Sequence, residues 1–519
     1  MRARLRRELA IVAAIAAASL VVRAAFALGT DVFQDEALYW WQAYGGLSFS
    51  PHPPAGPLLM HAGLLLFGHG LAGVRAGSLV AGTASIFVAY ALARAMYGGR
   101  AGLWAALLFA LCPLFVAVGA VATPDALLLL VWLSFIYVAW RAAQARTAVW
   151  WAALGVVFAA GMYTKYMMVL AAPSLGLALL LSKEDRRLLK TPGPWLAGAL
   201  GTALFAPVLL LWDWRHGWPT LSYHLGARHV WAFTWGQIEN YVFSHLGAIS
   251  PLLIAGVLWA LVHWFLWRRG RSRAGIWIAS FGWVPIVFFL APSAFTERTM
   301  TRVQWDAVGY AAGIVAFALL LRERGVRGRV LRRRRRFALA GMGVAGATLA
   351  GTLVVMLWPG LVVRLGMNPP VTRLLGWSEL AERVQQAREE WPGQPAFIVG
   401  DSFRTALCVG FHLNTRNGVY TLFHPSNRRY GLTEELKRWR IDEPSMVEDR
   451  AGQDALYVHE YHFSSRAGAD DPATRIHRFF SRVEKVADFY VVRGGRQLKH
   501  FGLFHCYDLE PKPGVRAVR

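Results

Sequence analysis

Apolar runs of about twenty residues recur along the first 360 positions of this chain, and no other feature constrains its fold as strongly. Such runs are long enough to cross a bilayer as helices. The composition agrees, with 55% hydrophobic residues and a mean hydropathy of +0.36. The sequence therefore predicts a mainly α-helical, multi-pass transmembrane bundle. About eleven spans are expected, at 8–28, 73–92, 101–120, 124–140, 147–163, 166–182, 194–212, 246–266, 274–291, 306–321 and 337–357.

The charged residues between the spans predict their orientation. Alternate connections, beginning with the N-terminal tail, hold 25 Lys and Arg residues, whereas the opposite set holds 5. Positive charge marks the cytoplasmic side, so we expect the N-terminus inside and, after an odd number of spans, the C-terminal tail outside. The net charge of +24 thus indicates topology rather than nucleic-acid binding. The run Arg332–Arg336 is expected to anchor a helix at anionic lipid.

The first span has the length of a signal peptide but no convincing small-residue cleavage site. We therefore expect a permanent helix, within which Arg23 either snorkels or faces the bundle interior.

The last part of the chain has a different composition, polar and mixed in charge. We predict two domains, a transmembrane domain over 1–358 and a small extracytoplasmic α/β domain over 359–519. Cys408 and Cys506 lie in this tail, where an outside location permits a disulfide that the sequence does not establish. Helices are expected at 377–391 and 402–413, and strands within 395–401, 455–461, 486–493 and 501–509.

The connection at 29–72 lies on the expected outer side and contains no Lys or Arg. "QDEALYWWQAYGG" and "PPAGPLLMHAGLLLFG" predict two short interfacial helices, joined by the rigid turn "SFSPHPP". Four aromatic side chains of the first helix are expected at headgroup depth. They are Tyr39, Trp40, Trp41 and Tyr44.

Asp35 and Glu36 stand at the start of the first of these helices. One interpretation is a charge pair favoured by the helix dipole. The other is a carboxylate that apolar surroundings make more basic, which suits a general base at a water–lipid boundary. Asp31 is a weaker candidate, and its simplest role is a helix cap.

Further polar residues lie on the other expected outer connections. Asp125 is either a cap or a site residue, and His52 is either an ordinary loop histidine or a donor to an anionic group. Lys165 interrupts two apolar segments, and a buried lysine in a membrane is functional by default. The remaining members are Asp213, Arg215, His216, Tyr223, His224, Arg228, Arg298 and Arg302. Carboxylates on one loop and bases on others predict a site for an anionic lipid-phosphate donor.

The order of these motifs resembles a known family. "DEALYWWQAYGGLSFSPHPPAGPLLMHAGLLLFG" followed by "GVRAGSLVAG" resembles the first outer loop of the bacterial glycosyltransferase 39 and ArnT-like family. "TPDALLLLVW", "YTKYMMVLAAPSLGLALL" and "PVLLLWDWRHGWPTLSYH" follow in the family's order, as do the tail segments "GWSELAERVQQ" and "VVRGGRQLKHFGLFHCYDL". Members are polyprenyl-phosphate-sugar glycosyltransferases of the GT-C fold. The chain departs from the pattern at Pro51, where an Asp is common, and at Gln304-Trp305-Asp306, which replaces Asn-Trp-Pro.

The resemblance implies a general base, or an acceptor-orienting carboxylate, at Asp35. Glu36 would support it or help to hold a divalent ion, if one is used. No nucleotide is required, and the sequence has no phosphate-cradling Gly-rich loop followed by lysine. The expected location is the inner membrane of a bacterium, with the active site on its outer face.

The resemblance also implies contacts with the donor. His52 and Lys165 would face its phosphate, and Asp125 would shape the sugar pocket. Arg215 and His216 lie in the loop that would close over it. The expected reaction is inverting transfer of a sugar from polyprenyl phosphate to a lipid, glycan or protein acceptor.

Two other function classes stay open. One is a transporter or flippase of a lipid-linked sugar, for which polar groups near mid-membrane on broken helices would be typical. The other is a membrane scaffold that carries an outer binding module. Against the transporter, the candidate residues crowd one expected face and the two halves of the chain do not repeat. The scaffold leaves the loop of residues 31–56 unexplained.

Overall fold

As far as residue 364, the regular secondary structure of the described residues is helical. The computed structural model describes residues 2–45, 48–224, 233–266, 272–293, 303–323, 325–365, 372–391, 397–461 and 475–510. The helices of the first part are α1 Arg2–Leu28, α2 Gln34–Tyr44, α3 Ala55–Phe67, α4 Leu71–Tyr97, α5 Gly99–Leu111, α6 Pro113–Val118, α7 Pro124–Ala145, α8 Ala148–Thr164, α9 Ala171–Leu181, α10 Pro192–Arg215, α11 Pro219–Ser222, α12 Trp235–Ile249, α13 Pro251–Leu266, α14 Arg273–Ser293, α15 Ala307–Leu320, α16 Gly328–Leu357 and α17 Pro359–Arg364. Short 3₁₀ turns occupy Tyr166–Leu170 and Arg186–Lys190.

Each predicted span coincides with a helix or with an interrupted pair of helices. Among the described residues, six helices are long and apolar enough to cross a membrane, and a seventh crossing results if α12 and α13 form one span. These two helices are bent by 106° at Ser250, which has a positive φ and precedes Pro251. The mainly helical prediction is confirmed, whereas the number of eleven crossings and their orientation stay predictions.

The helix α15 lies at the centre of the bundle, with every one of its residues buried. A helix that is apolar on all sides is typical of such a position. Small residues let neighbouring helices approach closely. A Cβ atom added at Gly313 would lie 2.4 Å from Val257 of α13, and one added at Gly256 of α13 would lie 2.7 Å from Phe317.

The structure shows the positions of Arg23 and of the basic run Arg332–Arg336, for which the sequence made predictions. Arg23 is fully buried, beside Gly82 and Gly119, so it faces the interior. The basic run lies in the first three turns of α16, which begins at Gly328. Arg334 contacts Glu323 at 2.5 Å and the carbonyl oxygen of Leu320 at 3.1 Å. At least one member of the run therefore also ties α16 to the end of α15.

The C-terminal part contains a five-stranded mixed sheet with the order β2-β1-β3-β5-β4. The strand β1 pairs in parallel with β2 and β3, whereas β5 is antiparallel to β3 and β4. The predicted strands and the two predicted helices are present, and the structure adds β2 and three short helices. The elements are α18 Trp377–Glu389, β1 Phe397–Gly400, α19 Phe403–His412, β2 Val419–Thr421, α20 Pro425–Arg429, α21 Thr433–Arg438, α22 Glu443–Arg450, β3 Ala455–Tyr461, β4 Phe480–Arg493 and β5 Arg496–Leu509.

The tail packs through α19 on α2, within the connection at 29–72 that is predicted to be the first outer connection and keeps that name below. The rings of Trp40 and Phe411 are 5.4 Å apart in an edge-to-face arrangement. Trp41 lies 6.2 Å from Trp439. Tyr39, Trp40 and Trp41 are buried, and of the four aromatic residues predicted at headgroup depth only Tyr44 is exposed. The prediction is therefore wrong for the three buried rings, because the tail covers the face that was assigned to lipid.

The two tail cysteines are free and buried. Cys408 belongs to the core shared by the tail and the first outer connection, whereas Cys506 belongs to a separate core inside the sheet. The disulfide that the compartment permits is therefore not formed in this structure.

Candidate active site

The segment 48–52 joins α2 and α3 and is held by side chains from several parts of the chain. Gln42 of α2 donates from Nε2 to the carbonyl oxygen of Ser50 at 2.9 Å. The hydroxyl of Tyr166, the residue after Lys165, donates to the carbonyl oxygen of Phe49 at 2.6 Å. These hydrogen bonds bring the first outer connection and the end of α8 together.

Glu36 is locked into the protein interior. Its carboxylate forms a bidentate ion pair with Arg75 of α4, at 2.8 Å from Nε and 2.6 Å from Nη2, and both side chains are 0% exposed. It also accepts from the backbone N–H groups of Phe33, at 2.9 Å, and Ala122, at 2.7 Å. Arg75 directs its remaining donors to the carbonyl oxygens of Ala27, Thr30 and Asp31 and to the hydroxyl of Thr30. The pair therefore fixes the start of α2 against α4 and against the residues before α7.

Asp35 lies beside this pair, in the same first helical turn, and is half-buried. Gln34 has its Nε2 atom 3.4 Å from Asp35 Oδ1 and 3.2 Å from the hydroxyl of Tyr430 in the tail. The N-terminal end of a helix favours a negative charge. His52 follows on the same connection, with its ring 6.3 Å from that of Tyr39. The neighbour Glu36 thus gives Asp35 a rigid backbone position.

Asp125 and Lys165 form a second buried pair. The Lys165 ammonium donates to Asp125 Oδ1 at 2.6 Å, and their side chains are 6% and 7% exposed. Asp125 lies in the first turn of α7, and Lys165 follows the last residue of α8. Ala122, which donates to Glu36, precedes Asp125 by three residues. The 122–125 segment therefore connects the two buried pairs.

The end of α10 contributes exposed polar groups. Arg215 and His216 are both exposed, and the His216 ring stacks on Trp212 with 4.3 Å between ring centroids. Asp213 is buried instead, and accepts from the backbone N–H groups of Thr220 at 2.8 Å and Leu221 at 3.1 Å. Asp213 therefore holds the turn after α10, while its two neighbours stay accessible.

The tail adds a buried carboxylate that the sequence did not single out. Glu435 accepts from the hydroxyl of Ser48 at 2.9 Å and from Arg438 at 2.6 Å. Burial raises its pKa, and the charges of Arg438 and His216 oppose this effect. The partners Ser48 and Glu435 are 387 residues apart, so no local pattern could have identified the contact.

Asp31 caps a helix of the tail. Its carboxylate accepts from the backbone N–H of Trp377 at 2.9 Å and from the hydroxyl of Ser378 at 2.7 Å. The sequence predicted a cap as its simplest role, and the helix concerned is α18.

The segment that departs from the family pattern is also part of a buried network. Asp306 accepts from the Tyr241 hydroxyl, and its Oδ1 lies 2.8 Å from His245 Nε2. Both partners belong to α12, so Asp306 ties the bent helix pair to the start of α15.

Three candidate bases, Arg228, Arg298 and Arg302, lie outside the described residues. Within the described ranges, no group of three or more His, Cys, Asp or Glu side chains is arranged to hold a metal ion.

The comparisons with known proteins agree with this architecture. The sequence model of the family described as "Dolichyl-phosphate-mannose-protein mannosyltransferase" matches residues 51–212, which include Asp125 and Lys165. The crystal structure of apo ArnT from Cupriavidus metallidurans has a TM-score of 0.65 at 16% identity, and covers 95% of this chain and 97% of that one. The same protein bound to undecaprenyl phosphate gives 0.63 at 17% identity, with the same coverage. No curated protein matches the chain by sequence.

The fold is therefore similar to that of ArnT over nearly the whole chain. The predicted resemblance to GT-C glycosyltransferases is confirmed by the family match and by this fold. The prediction of a glycosyltransferase of the GT-C type is likewise confirmed.

Proposed function

We propose that this protein transfers a sugar from a polyprenyl monophosphate to an acceptor hydroxyl on the outer face of a bacterial inner membrane. The acceptor oxygen forms a bond to the anomeric carbon as the bond from that carbon to the phosphate oxygen breaks, with inversion. Asp35 takes the acceptor proton, and the lipid phosphate leaves as an anion. The transmembrane part, 1–358, carries these groups, and the outer domain, 359–519, covers them.

The observation that carries the proposal is the rigid frame around Asp35. Glu36 and Arg75 anchor the start of α2 without exposing either charge, so Asp35 is the half-buried carboxylate on that frame. A general base must be held within hydrogen-bond reach of the proton that it removes. Glu36 is then a positioning residue, because its two oxygens already accept from Arg75, Phe33 and Ala122.

Lys165 supplies positive charge for the leaving phosphate. Its ammonium carries three N–H donors, of which one contacts Asp125, so the remaining donors are compatible with phosphate oxygens. Asp125 positions Lys165 and limits the cost of burying its charge. His52, Arg215 and His216 are assigned to the donor side of the site, the last two at the exposed end of α10. Fixed cations stabilise the developing charge of the leaving group.

An apolar cavity suits the lipid chain of such a donor. It has a volume of about 640 Å³ and lies between α7, α8, α9 and α10, with Phe135, Phe158, Leu175 and Trp195 in its lining. Pro194 and Trp195 of the lining lie at the start of α10, whereas Arg215 ends that helix. A long polyprenyl chain would therefore run along these helices to bring its phosphate to Lys165 and Asp125. The related ArnT has been crystallised with undecaprenyl phosphate, which supports a lipid phosphate as the donor. No step of the proposal uses a metal ion.

The test is sugar transfer by the purified protein in lipid nanodiscs, with a panel of polyprenyl-phosphate sugars. Wild type should consume one donor, by transfer or by hydrolysis. Asp35→Asn should reduce the rate by about 100- to 10,000-fold, the usual contribution of a general base, while folding normally. Asp449→Asn, at an exposed position of α22 in the tail, is the matched control.

Near-normal transfer by a folded Asp35→Asn protein would remove Asp35 from the mechanism. Movement of a lipid-linked sugar across the bilayer of reconstituted vesicles, without transfer or hydrolysis of the donor, would favour the transporter alternative.

A further inference from the structure

A second cavity, which is polar, lies between the tail and the start of α2. Its volume is about 200 Å³, and its lining includes Gln34, Arg373, Arg404, Glu460 and Lys499. Three positive side chains and one carboxylate therefore surround a space large enough for a small anionic group. The cavity is separate from the apolar one between α7 and α10.

Lys499 of β5 is the unusual member of this lining. Its side chain is only 7% exposed, and its Nζ atom has no hydrogen-bond partner among the described residues. The nearest compensation is the ring of Trp377, whose centroid lies 3.8 Å away. Burial lowers the pKa of Lys499, although the charges of Glu460 and Asp31 oppose this. A buried ammonium with unused donors is costly, and an anionic group in the cavity would satisfy these donors.

Arg404 repeats this pattern on the helix α19. Its Nε atom is buried and lacks a hydrogen-bond partner within the described part of the chain. Its guanidinium lies 5.5 Å from the ring of Tyr430, whose hydroxyl contacts Gln34. A planar guanidinium with an available N–H suits phosphate and carboxylate oxygens.

The cavity is also lined by Gln34, the residue that precedes the proposed base. The Nε2 atom of Gln34 is 3.4 Å from Asp35 Oδ1. A molecule whose anionic group occupies the cavity would extend along α2 towards Asp35.

We propose that Lys499, Arg404 and Arg373 bind a phosphate or carboxylate group of the acceptor, which places the acceptor hydroxyl near Asp35. The acceptor is thus an anionic molecule, and the tail domain selects it. The anion site stands on the cavity and its buried donors, whereas the acceptor role rests on the proposed glycosyl transfer.

The first experiment measures binding of inorganic phosphate, and separately of acetate, to the full-length protein in nanodiscs by calorimetry. At least one anion should bind wild type and the control Lys437→Met, which changes an exposed lysine of α21. Lys499→Met and Arg404→Gln should weaken binding about tenfold or more, the scale of one charge-assisted hydrogen bond. Without anion, Lys499→Met should unfold at the same temperature as wild type or higher, because a buried unpaired charge is removed.

A purely structural lysine would give the opposite pattern, with a lower unfolding temperature for Lys499→Met and unchanged anion binding. That result, or no anion binding by wild type, overturns the site.

Donor hydrolysis separates this inference from the proposed function. Lys499→Met should hydrolyse the polyprenyl-phosphate sugar at the wild-type rate, while the KM for an anionic acceptor rises about tenfold or more. Normal hydrolysis with an unchanged acceptor KM overturns the acceptor role and leaves the proposed function standing. Anion binding that depends on Lys499 in a protein without any donor turnover would support the site and contradict the proposed function.

Discussion

Glu36 and Arg75 form a bidentate ion pair in which neither side chain has any exposed surface. The pair joins the first turn of α2 to the first turns of α4, and each partner also satisfies backbone groups around it. The carboxylate that adjoins the proposed base in sequence is thus a structural anchor. Its role explains why two acidic residues stand together at this position while only Asp35 stays accessible.

The anchor predicts a large loss of stability for Glu36→Gln. The substitution leaves the Arg75 guanidinium buried without a counter-charge, which costs about 3–5 kcal/mol. Thermal unfolding in nanodiscs should show a clearly lower transition temperature than for Glu382→Gln, an exposed substitution on α18. Wild-type stability together with lost turnover would instead show that Glu36 contacts the reactants.

The Asp125–Lys165 pair predicts different effects for its two members. Lys165→Met should raise the donor KM and lower kcat, because the leaving phosphate loses a cation. Asp125→Asn keeps that cation. It should therefore lower the unfolding temperature, but reduce donor turnover less than Lys165→Met does. Steady-state kinetics with varied donor and fixed acceptor would distinguish them, with Lys183→Met as an exposed lysine control. A change confined to the acceptor KM in Lys165→Met would contradict the assignment.

The cap that Asp31 provides to α18 predicts that this residue helps to hold the tail against the connection at 29–72. Asp31→Ala removes the cap of α18, a loss of about 1 kcal/mol, and also a contact between the first outer connection and the tail. Hydrogen exchange should therefore increase in both α18 and α2. Asp442→Ala removes a cap of the same kind at α22, where Asp442 accepts from Ser445, and should affect α22 alone. Equal effects of the two substitutions on α2 would argue against docking by Asp31.

Glu435 predicts a pH dependence of stability. Because burial raises its pKa in the folded state, the folded protein binds this proton more readily than the unfolded chain. The resulting stabilisation is complete below the usual glutamate pKa of about 4.3 and is lost as the pH rises through the raised value. Unfolding temperatures measured across this range should fall more for wild type than for Glu435→Gln. Glu434→Gln, which alters an exposed neighbour, should show the same pH dependence as wild type. An unfolding temperature of Glu435→Gln that differs from that of wild type by the same amount at every pH would contradict the prediction.

Local sequence patterns predict much of the fold. Each apolar run became a helix or an interrupted pair, and the interruptions occur at Cys112–Pro113 and Ser250–Pro251, where proline cannot continue the preceding hydrogen bonds. The alternating segments of the tail became strands for the same local reason. The strand Val419–Thr421 was missed because three residues are too few to show a period.

The candidate residues were identifiable by type, since charged groups are rare in an apolar chain and stand out in its connections. That reasoning placed Asp35, Asp125 and Lys165 on one expected face. It did not separate the anchor Glu36 from its neighbour Asp35, because the separation depends on Arg75, 39 residues away.

Local sequence patterns suffice to predict a bundle of apolar helices followed by a mixed α/β tail, because hydrophobic period and proline position act over a few residues. Three other features follow only from the packed fold: the tail covers Trp40 and Trp41, Glu435 accepts a hydrogen bond from Ser48, and Lys499 is buried beside α2. These contacts join residues hundreds of positions apart, and their energy comes from desolvation and pairing that exist only once both partners are packed together.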